Sequence, residues 1–383
     1  MREGWIETTL ADICKDGLFA DGDWVESKDQ DPEGDYRLLQ LADIGDGAFL
    51  DKSDRWMNKE QFQRLGCTKL EVNDVLIARM PDPIGRACLL PEGLPSSATV
   101  VDVAIVRTGN EILQRILSLI VNSPDFRDEA FSLLTGTTRQ RISRGNLSKI
   151  SFWLPSLPEQ KRIVDLISSV DSYIEALQQQ LMSAKKSRNA VLHEFLTVGG
   201  DDWEQSSLGK LLTLEYGKPL TDEKRDGMGF PVFASAGVVG LHSEPLVSNS
   251  PVIVVGRKGT AGAVHWSSTP CFVIDTAYFV KPISDIDLRF LYLLLGFIDL
   301  KSVTAQTGVP GLNRDRAYSL KCNVPPKSKQ LEVVTIVTQL DDFIDSTQGT
   351  INRSQNLRSG LLSDLLSGEH EIPSSYDKVM GAA

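Results

Sequence analysis

One stretch of this 383-residue chain constrains its fold more than any other, because it occurs twice. "LPSLPEQKRIVDLISSVDSYI" begins at Leu154, and a degenerate copy, "VPPKSKQLEVVTIVTQLDDFI", begins at Val324. A constant offset of 170 aligns Gln160 with Gln330, Val164 with Val334, Asp171 with Asp341 and Ile174 with Ile344, then continues without a gap to Leu196 and Leu366. Upstream, "WIETTL" at Trp5 resembles "WEQSSL" at Trp203, and "VLIAR" ending at Arg79 resembles "IVVGR" ending at Arg257. "VVDVA" at Val100 resembles "VIDTA" at Val273, and Thr135-Gly136 resembles Thr307-Gly308. The offset shrinks from 198 through 178, 173 and 172 to 170, so one ancestral unit was duplicated, with about 28 residues more in the first copy's variable part.

Each unit has two textures. The first, 1–153 and 199–323, holds short β-branched runs such as "VLIA", "VVDVAIV", "PVIVVG" and "CFVIDTAYFV" between Gly, Pro, Asn and Asp, which predicts strands and turns. A helix or two joins them, for example "EILQRILSLIVN" and "LRFLYLLLGFI". The second texture, 154–198 and 324–370, is a single long helix, and 371–383 reads as a flexible tail.

Both helices carry a seam at period 3.5: Ile163, Ile167, Val170, Ile174, Leu177, Leu181, Ala184, Arg188, Val191 and Phe195, repeated as Val333, Val337, Leu340, Ile344, Thr347, Ile351, Ser354, Arg358, Leu361 and Leu365. Ser156 with Glu159 forms a capping signal, while Gly199, Gly200 and Gly368 supply stops. Two such seams bury each other most simply as an antiparallel coiled coil with pseudo-twofold symmetry. Facing positions then sum to about 528, which sets Arg188 beside Asp341 and Arg358 beside Asp171 as interhelical salt bridges. The alternative is that both arginines snorkel to solvent. Helices of roughly 40 residues span about 60 Å, so the expected fold is α+β: two mixed α/β domains, each followed by a long helix, held at opposite ends of a rod.

Length alone suggests two or three domains, and 41% apolar content with mixed charges suggests a soluble globular protein. No apolar run is long enough to cross a bilayer, and "MREGWIETTL" lacks the features of a signal peptide, so the expected location is the cytoplasm. Five scattered cysteines (Cys14, Cys67, Cys88, Cys271, Cys322) and four histidines lack metal-ligand spacing, so neither disulfides nor a structural metal is expected. The net charge of −11 is uneven: residues 1 to 75 hold 18 acids and 9 bases, which accounts for −9 of it. Local basic clusters remain at Arg139, Arg141, Arg144 and Lys149, and at Arg314, Arg316, Lys321, Lys327 and Lys329.

No GxxxxGK[ST], no [DN]PP[YF] and no convincing PD…ExK cluster is present, so the chain is expected to catalyse nothing. "TGTTRQRISRGNLSKISFWLPSLPEQKRIV" followed by a long helix, then "PVFASAGVVG" and "VIVVGRKGTAG" in a second variable domain, resembles the DNA-specificity subunit of type I restriction-modification systems. "LPxLPEQ" and "GRKGTAG" are the most specific words of that resemblance, which covers the chain up to the tail after Gly368. It implies two target recognition domains reading the halves of a split, asymmetric DNA site, and a helical spacer that docks two adenine-N6 methyltransferase subunits and the restriction-translocase subunits of a prokaryotic phage-defence system. S-adenosylmethionine would belong to the methyltransferase partner, and ATP and Mg to the restriction partner. The sequence departs from the family pattern in "PPKSKQ" before the second helix and in "ARMPDPIGR", which replaces a glycine-rich loop. Alternatives are the recognition subunit of another phage-defence assembly, a methyltransferase fused to its recognition domain, or a coiled-coil scaffold without a DNA role.

Groove edges are read by Arg, Lys, Asn and Gln, and phosphates are held by Lys, Arg, Ser, Thr and backbone amides. The candidates in the first domain are Arg79, Arg86, Thr137, Arg139, Gln140, Arg141 and Arg144. In the second they are Lys218, Arg257, Lys258, Thr260, Asn313, Arg314 and Arg316. Arg257, Lys258, Arg139 and Arg141 are favoured as members of matching loops, and Gly256, Gly259 and Gly262 are expected to let backbone approach DNA phosphate. An exposed solubilising charge is the alternative for each. His242 and His265 read as ordinary loop residues, and Trp153, Tyr173 and Phe343 as packing residues.

Overall fold

A computed structural model of the chain describes residues 4–304 and 311–381; Thr307, matched to Thr135 in the repeat, lies outside the described residues. The chain forms two compact units, Met1–Ala176 with Ile351–Ala383, and Leu177–Thr350.

The first unit holds β1 (Ile6–Thr9), β2 (Leu18–Asp21), β3 (Tyr36–Leu39), β4 (Trp56–Met57), β5 (Val75–Ala78), β6 (Ala87–Leu89), β7 (Ser97–Thr99), β8 (Val103–Arg107) and β9 (Ser151–Leu154). They form an antiparallel sheet in the order β2-β8-β5-β6, a three-stranded sheet β4-β3-β7 with β3 and β7 parallel, and the antiparallel pair β1-β9. The second unit holds β10 (Glu204–Ser207), β11 (Leu212–Tyr216), β12 (Phe230–Ala234), β13 (Gly237–His242), β14 (Val252–Gly256), β15 (Val264–Ser267), β16 (Phe272–Val273), β17 (Ala277–Pro282) and β18 (Lys321–Val324). Their orders, β11-β17-β14-β15, β13-β12-β16 and β10-β18, copy the first unit strand for strand, including its parallel strand pair. Duplication is therefore visible in the topology as well as the sequence.

The central strands lack polar alternation because both faces of the sheet are covered. Val75 and Ile77 face a core containing Ile116, Leu117, Ile120 and Val121 of the helix Glu111–Val121. Leu76 and Ala78 face the opposite cluster with Leu39 and Ile44, so the whole "VLIA" run is buried. In the second unit Ile253 and Val255 meet Phe290, Leu291 and Leu294 of the helix Leu288–Phe297, and Val252 and Val254 lie in the cluster with Phe233. Each helix starts on a side-chain cap: Asn110 accepts from the Leu113 N–H at 3.0 Å, and Asp287 from the Phe290 N–H at 2.8 Å.

The first long helix spans Leu157–His193 and runs into a wider π turn over Glu194–Val198; the second spans Lys327–Leu366. In the first unit the start of one helix packs antiparallel on the end of the other, joining Ile163 and Ile167 with Leu362 and Leu365. The second unit repeats this with Leu192 and Leu196 against Val333 and Val337. All twenty seam positions are buried or half-buried. Arg188 donates from Nε and Nη2 to Asp341, the second contact at 3.4 Å, and Arg358 donates likewise to Asp171, at 2.9 Å for Nη2. Both arginines thus turn into the helix pair rather than out to solvent. Gly199 and Gly368 follow the helices at φ +68° and +75°, where only glycine is unstrained.

The last residues differ from the expectation of a flexible tail. Ile372 is buried in the first unit's core, Arg162 holds the Asp377 carboxylate through Nε and Nη2 at 2.6 Å each, and the Tyr376 hydroxyl donates to Asp165 at 2.7 Å. A bidentate guanidinium–carboxylate pair and an apolar anchor are what a disordered tail lacks.

Candidate nucleic-acid interface

Most of the candidates gather at one corner of each four-stranded sheet. In the first unit this corner combines the end of β2, the β5–β6 loop and the loop from Thr135 to Arg144. That last loop closes on itself, with Thr135 and Arg141 exchanging backbone hydrogen bonds at 3.0 Å, and Thr137, Arg139, Gln140 and Arg141 are exposed along it. The Ile142 N–H donates to the Arg79 carbonyl at 3.0 Å, which ties the loop to the end of β5.

Two candidates do not belong to this surface. Arg79 is 1% exposed; its guanidinium donates to the Val101 carbonyl and lies 3.2 Å from Asp21, so it cannot reach DNA. Burial pushes its pKa below the usual guanidinium value, with Asp21 opposing the shift. Arg86 donates to four backbone carbonyls, Ile44 at 2.7 Å, Leu41 at 3.0 Å, Pro83 at 3.1 Å and Met80 at 3.2 Å, and so ties the β5–β6 loop to its neighbours. Arg144 is exposed, but its Nη1 donates to the Phe19 carbonyl at 3.3 Å and its Nε lies 3.8 Å from Asp21. Arg141 keeps a looser contact with Asp102, at 3.5 Å.

The second unit builds the same corner with different chemistry. The Leu312 N–H donates to the Arg257 carbonyl at 2.8 Å, reproducing the Ile142–Arg79 tie. Arg257 and Lys258 are therefore the counterparts of Arg79 and Met80, whereas Arg139 and Arg141 sit in a different loop. The fold brings the two loops together in each unit instead of matching one to the other. Arg257 is half-buried, donates to the Asp275 carbonyl at 2.8 Å, and stacks 4.8 Å from the Tyr216 ring centre; Arg314 lies 4.6 Å from the same ring. Lys218, Lys258, Thr260, Asn313 and Arg316 are exposed. Asn313 spends its side-chain oxygen on the Arg316 N–H at 2.9 Å, capping the helix Arg314–Ser319, as Ser143 caps Arg144–Leu147. A Cβ on Gly256 would stand 2.2 Å from the Thr260 carbonyl oxygen, so its close approach is to its own loop; Gly259, at φ +76°, faces open space.

The family model for the type I restriction modification DNA specificity domain matches residues 2–185 and 200–354, which takes in both copies of the repeat. The chain belongs to this family. Among relatives of the specificity chain, the type I restriction enzyme MjaVIII specificity subunit of Methanocaldococcus jannaschii is 19% identical over 90% of this chain and 88% of its own. A chain of the same organism assigned as the MjaX specificity subunit is 21% identical, and the alignment spans 60% of this chain and 62% of that relative's length. The crystal structure of a type I restriction-modification S subunit from M. genitalium shares the fold at a TM-score of 0.62 and 18% identity, over 94% of this chain and 96% of that one. A second solved chain, from work on complex assembly and conformational transition of the type I R-M system, gives 0.60 and 15%, over 95% and 98%.

Sequence reasoning missed two members of the specificity chain's corners, Asp21 and Tyr216. Tyr216 is 48% exposed yet held by two arginines and by an edge contact with Tyr278 at 5.2 Å. Burial, and secondarily the Tyr216 neighbour, raises the Tyr278 pKa. His242 and His265 sit on β13 and β15 rather than in loops, 3.5 Å from Asp226 and 3.0 Å from the Ser235 carbonyl. Tyr173 and Phe343, expected as packing residues, are 53% and 47% exposed on the long helices. The five free thiols are buried, and burial raises their pKa to about 11, or about 12 for Cys88. Among the described residues no helix is long and apolar enough to cross a membrane, and no His/Cys/Asp/Glu group could hold a metal ion.

Proposed function

We propose that this specificity chain binds double-stranded DNA at a split, asymmetric site, with each unit reading one half from its loop corner and the paired helices setting the separation. In this reading the chain carries out no chemistry and works in the prokaryotic cytoplasm. Its helices dock two adenine-N6 methyltransferase subunits, which bring S-adenosylmethionine, and the restriction-translocase subunits, which bring ATP and Mg. The carrying observation is one frame used twice with different exposed side chains: Thr137, Arg139 and Gln140 on one corner, Lys218, Lys258, Thr260 and Arg316 on the other. An identical frame holds both corners alike, while unlike side chains favour unlike half-sites. Tyr173 and Phe343, half-exposed and 170 residues apart, are equivalent points at which two copies of one partner could attach.

The test is reconstitution with the cognate methyltransferase on a DNA library, followed by single-molecule methylation sequencing. A split motif methylated at one adenine per half, on opposite strands, is expected. Methylation at a continuous motif, or methyl transfer by the isolated chain, would refute the reading.

A further inference from the structure

The two corners differ in charge at equivalent backbone positions. β2 and β11 each end the outer strand of a four-stranded sheet, at Asp21 and Tyr216. Each is followed by a glycine whose Cβ would strike a carbonyl oxygen, Val100 at 2.2 Å for Gly22 and Ile274 at 2.1 Å for Gly217. Next comes a residue whose N–H is bonded alike: Asp23 donates to the Thr99 carbonyl at 2.7 Å, and Lys218 to that of Val273 at 3.0 Å. Asp21 therefore occupies the place of Tyr216, and Asp23 that of Lys218. The arginines around them also correspond, Arg79 with Arg257 and Arg144 with Arg314.

In the first unit both arginines face the Asp21 carboxylate, at 3.2 and 3.8 Å. At these positions three cations (Arg79, Arg141, Arg144) are equalled by three carboxylates (Asp21, Asp102, and Asp23, which accepts from the Thr68 N–H at 3.0 Å), so only Arg139 on the loop adds net positive charge. In the second unit the carboxylate is replaced by an aromatic ring, which orders guanidinium groups without cancelling their charge. Four cations (Lys218, Arg257, Lys258, Arg314) meet one carboxylate (Asp275), leaving +3. Among the described residues no carboxylate lies within ion-pairing distance of Arg257 or Arg314. Each gives one N–H to a backbone carbonyl, Asp275 at 2.8 Å and Leu214 at 3.3 Å, and keeps the rest of its donors.

The geometry points to a phosphodiester-binding site on the second unit, built by Arg257 and Arg314 on the Tyr216 ring with Lys218 and Lys258 beside it, whose equivalent on the first unit is switched off by Asp21. This inference rests on the DNA reading proposed above. The second unit then anchors the chain on the DNA backbone electrostatically, while the first relies on its Thr137–Arg141 loop.

The experiment measures binding of the full chain to a labelled mixed-sequence duplex against salt concentration. Each phosphate contact contributes about 0.9 to the log–log salt slope. Arg314→Gln is expected to flatten the slope by about one unit, and its counterpart Arg144→Gln to leave it unchanged. Tyr216→Asp, which installs the first unit's carboxylate, is expected to remove about two units. Equal effects of Arg314→Gln and Arg144→Gln, or an unchanged slope in Tyr216→Asp, would overturn the site while leaving the DNA reading intact. A wild-type chain that binds no duplex would overturn both.

Discussion

Arg79 stands in a repeat position equivalent to Arg257, yet the structure gives it a load inside the fold, and the two roles separate on substitution. Arg79→Ala removes a side chain 2% exposed, its ion pair with Asp21 and its donation to the Val101 carbonyl. Breaking a buried pair costs about 3–5 kcal/mol, because the surviving charge is left uncompensated. Asp21 is 35% exposed and keeps Arg144 at 3.8 Å, so the lower end, about 3 kcal/mol, applies. Arg79→Met leaves the same uncompensated Asp21 charge and spares only the cavity, so it should cost slightly less, about 2–3 kcal/mol. Lys258→Ala, on an exposed loop, should stay within about 0.5 kcal/mol. Urea unfolding followed by tryptophan fluorescence reads this well, since Trp5, Trp24, Trp56 and Trp153 lie in the first unit and only Trp203 and Trp266 in the second. At low urea, folded Arg79→Ala should keep the wild-type salt slope for DNA. A wild-type unfolding midpoint combined with a slope flattened by about one unit would place the Arg79 guanidinium on phosphate and refute the reasoning.

The helix pair and the tail offer two further tests. A double-mutant cycle on Arg358 and Asp171, whose side chains are 25% and 39% exposed, should give a coupling of about 0.5–1 kcal/mol, and reversing both charges should restore most of it; zero coupling would make the pair ornamental. Arg162 holds the Asp377 carboxyl below its usual 3.8, so the contribution of this pair is fully present above that value and is lost as pH falls through the lower folded value. Amide protection factors over 372–380 should therefore fall on acidification below about pH 4, and Arg162→Gln should show the lowered protection already at pH 7. Protection that stays constant down to pH 2 would contradict the tethering role.

The repeat, the seam and the strand-rich texture were legible because each is a periodic property of neighbouring residues. A heptad of apolar side chains has few ways to be buried, and a duplicated frame doubles the signal. At the corners only exposure at a turn was legible, as for Arg139, Gln140 and Lys258. Arg79 and Arg86 were misread because backbone carbonyls hold them, and a carbonyl leaves no mark in the side-chain sequence. Tyr216 was missed because its two arginines lie 41 and 98 residues further along the chain. The tail was misread because one isoleucine, one ion pair and one tyrosine hydroxyl anchor it, too little for a pattern.

What the repeated stretch keeps between copies also explains what it is for. Of "LPSLPEQ" the second copy retains a proline and the glutamine but loses Pro158 and Glu159, which become Ser328 and Lys329. The glutamines do the same work: Gln160 Nε2 donates to the Pro155 carbonyl at 2.8 Å and Gln330 Nε2 to that of Pro325 at 2.9 Å, both buried where strand turns into long helix. A proline opening that turn offers a carbonyl but no N–H, and the buried amide satisfies it. Gln330 goes further: its Oε1 accepts the Asp287 N–H at 2.8 Å, at the start of the helix Leu288–Phe297, whereas Gln160 Oε1 finds no donor among the described residues. Gln330→Leu therefore orphans a carbonyl and an N–H, and Gln160→Leu orphans a carbonyl while removing an unpaired oxygen. Each orphaned group costs about 1–3 kcal/mol, so Gln330→Leu should be the more destabilising by at least about 1 kcal/mol. Equal losses in urea unfolding would mean that the Asp287 contact contributes nothing, and that the glutamine serves the turn alone.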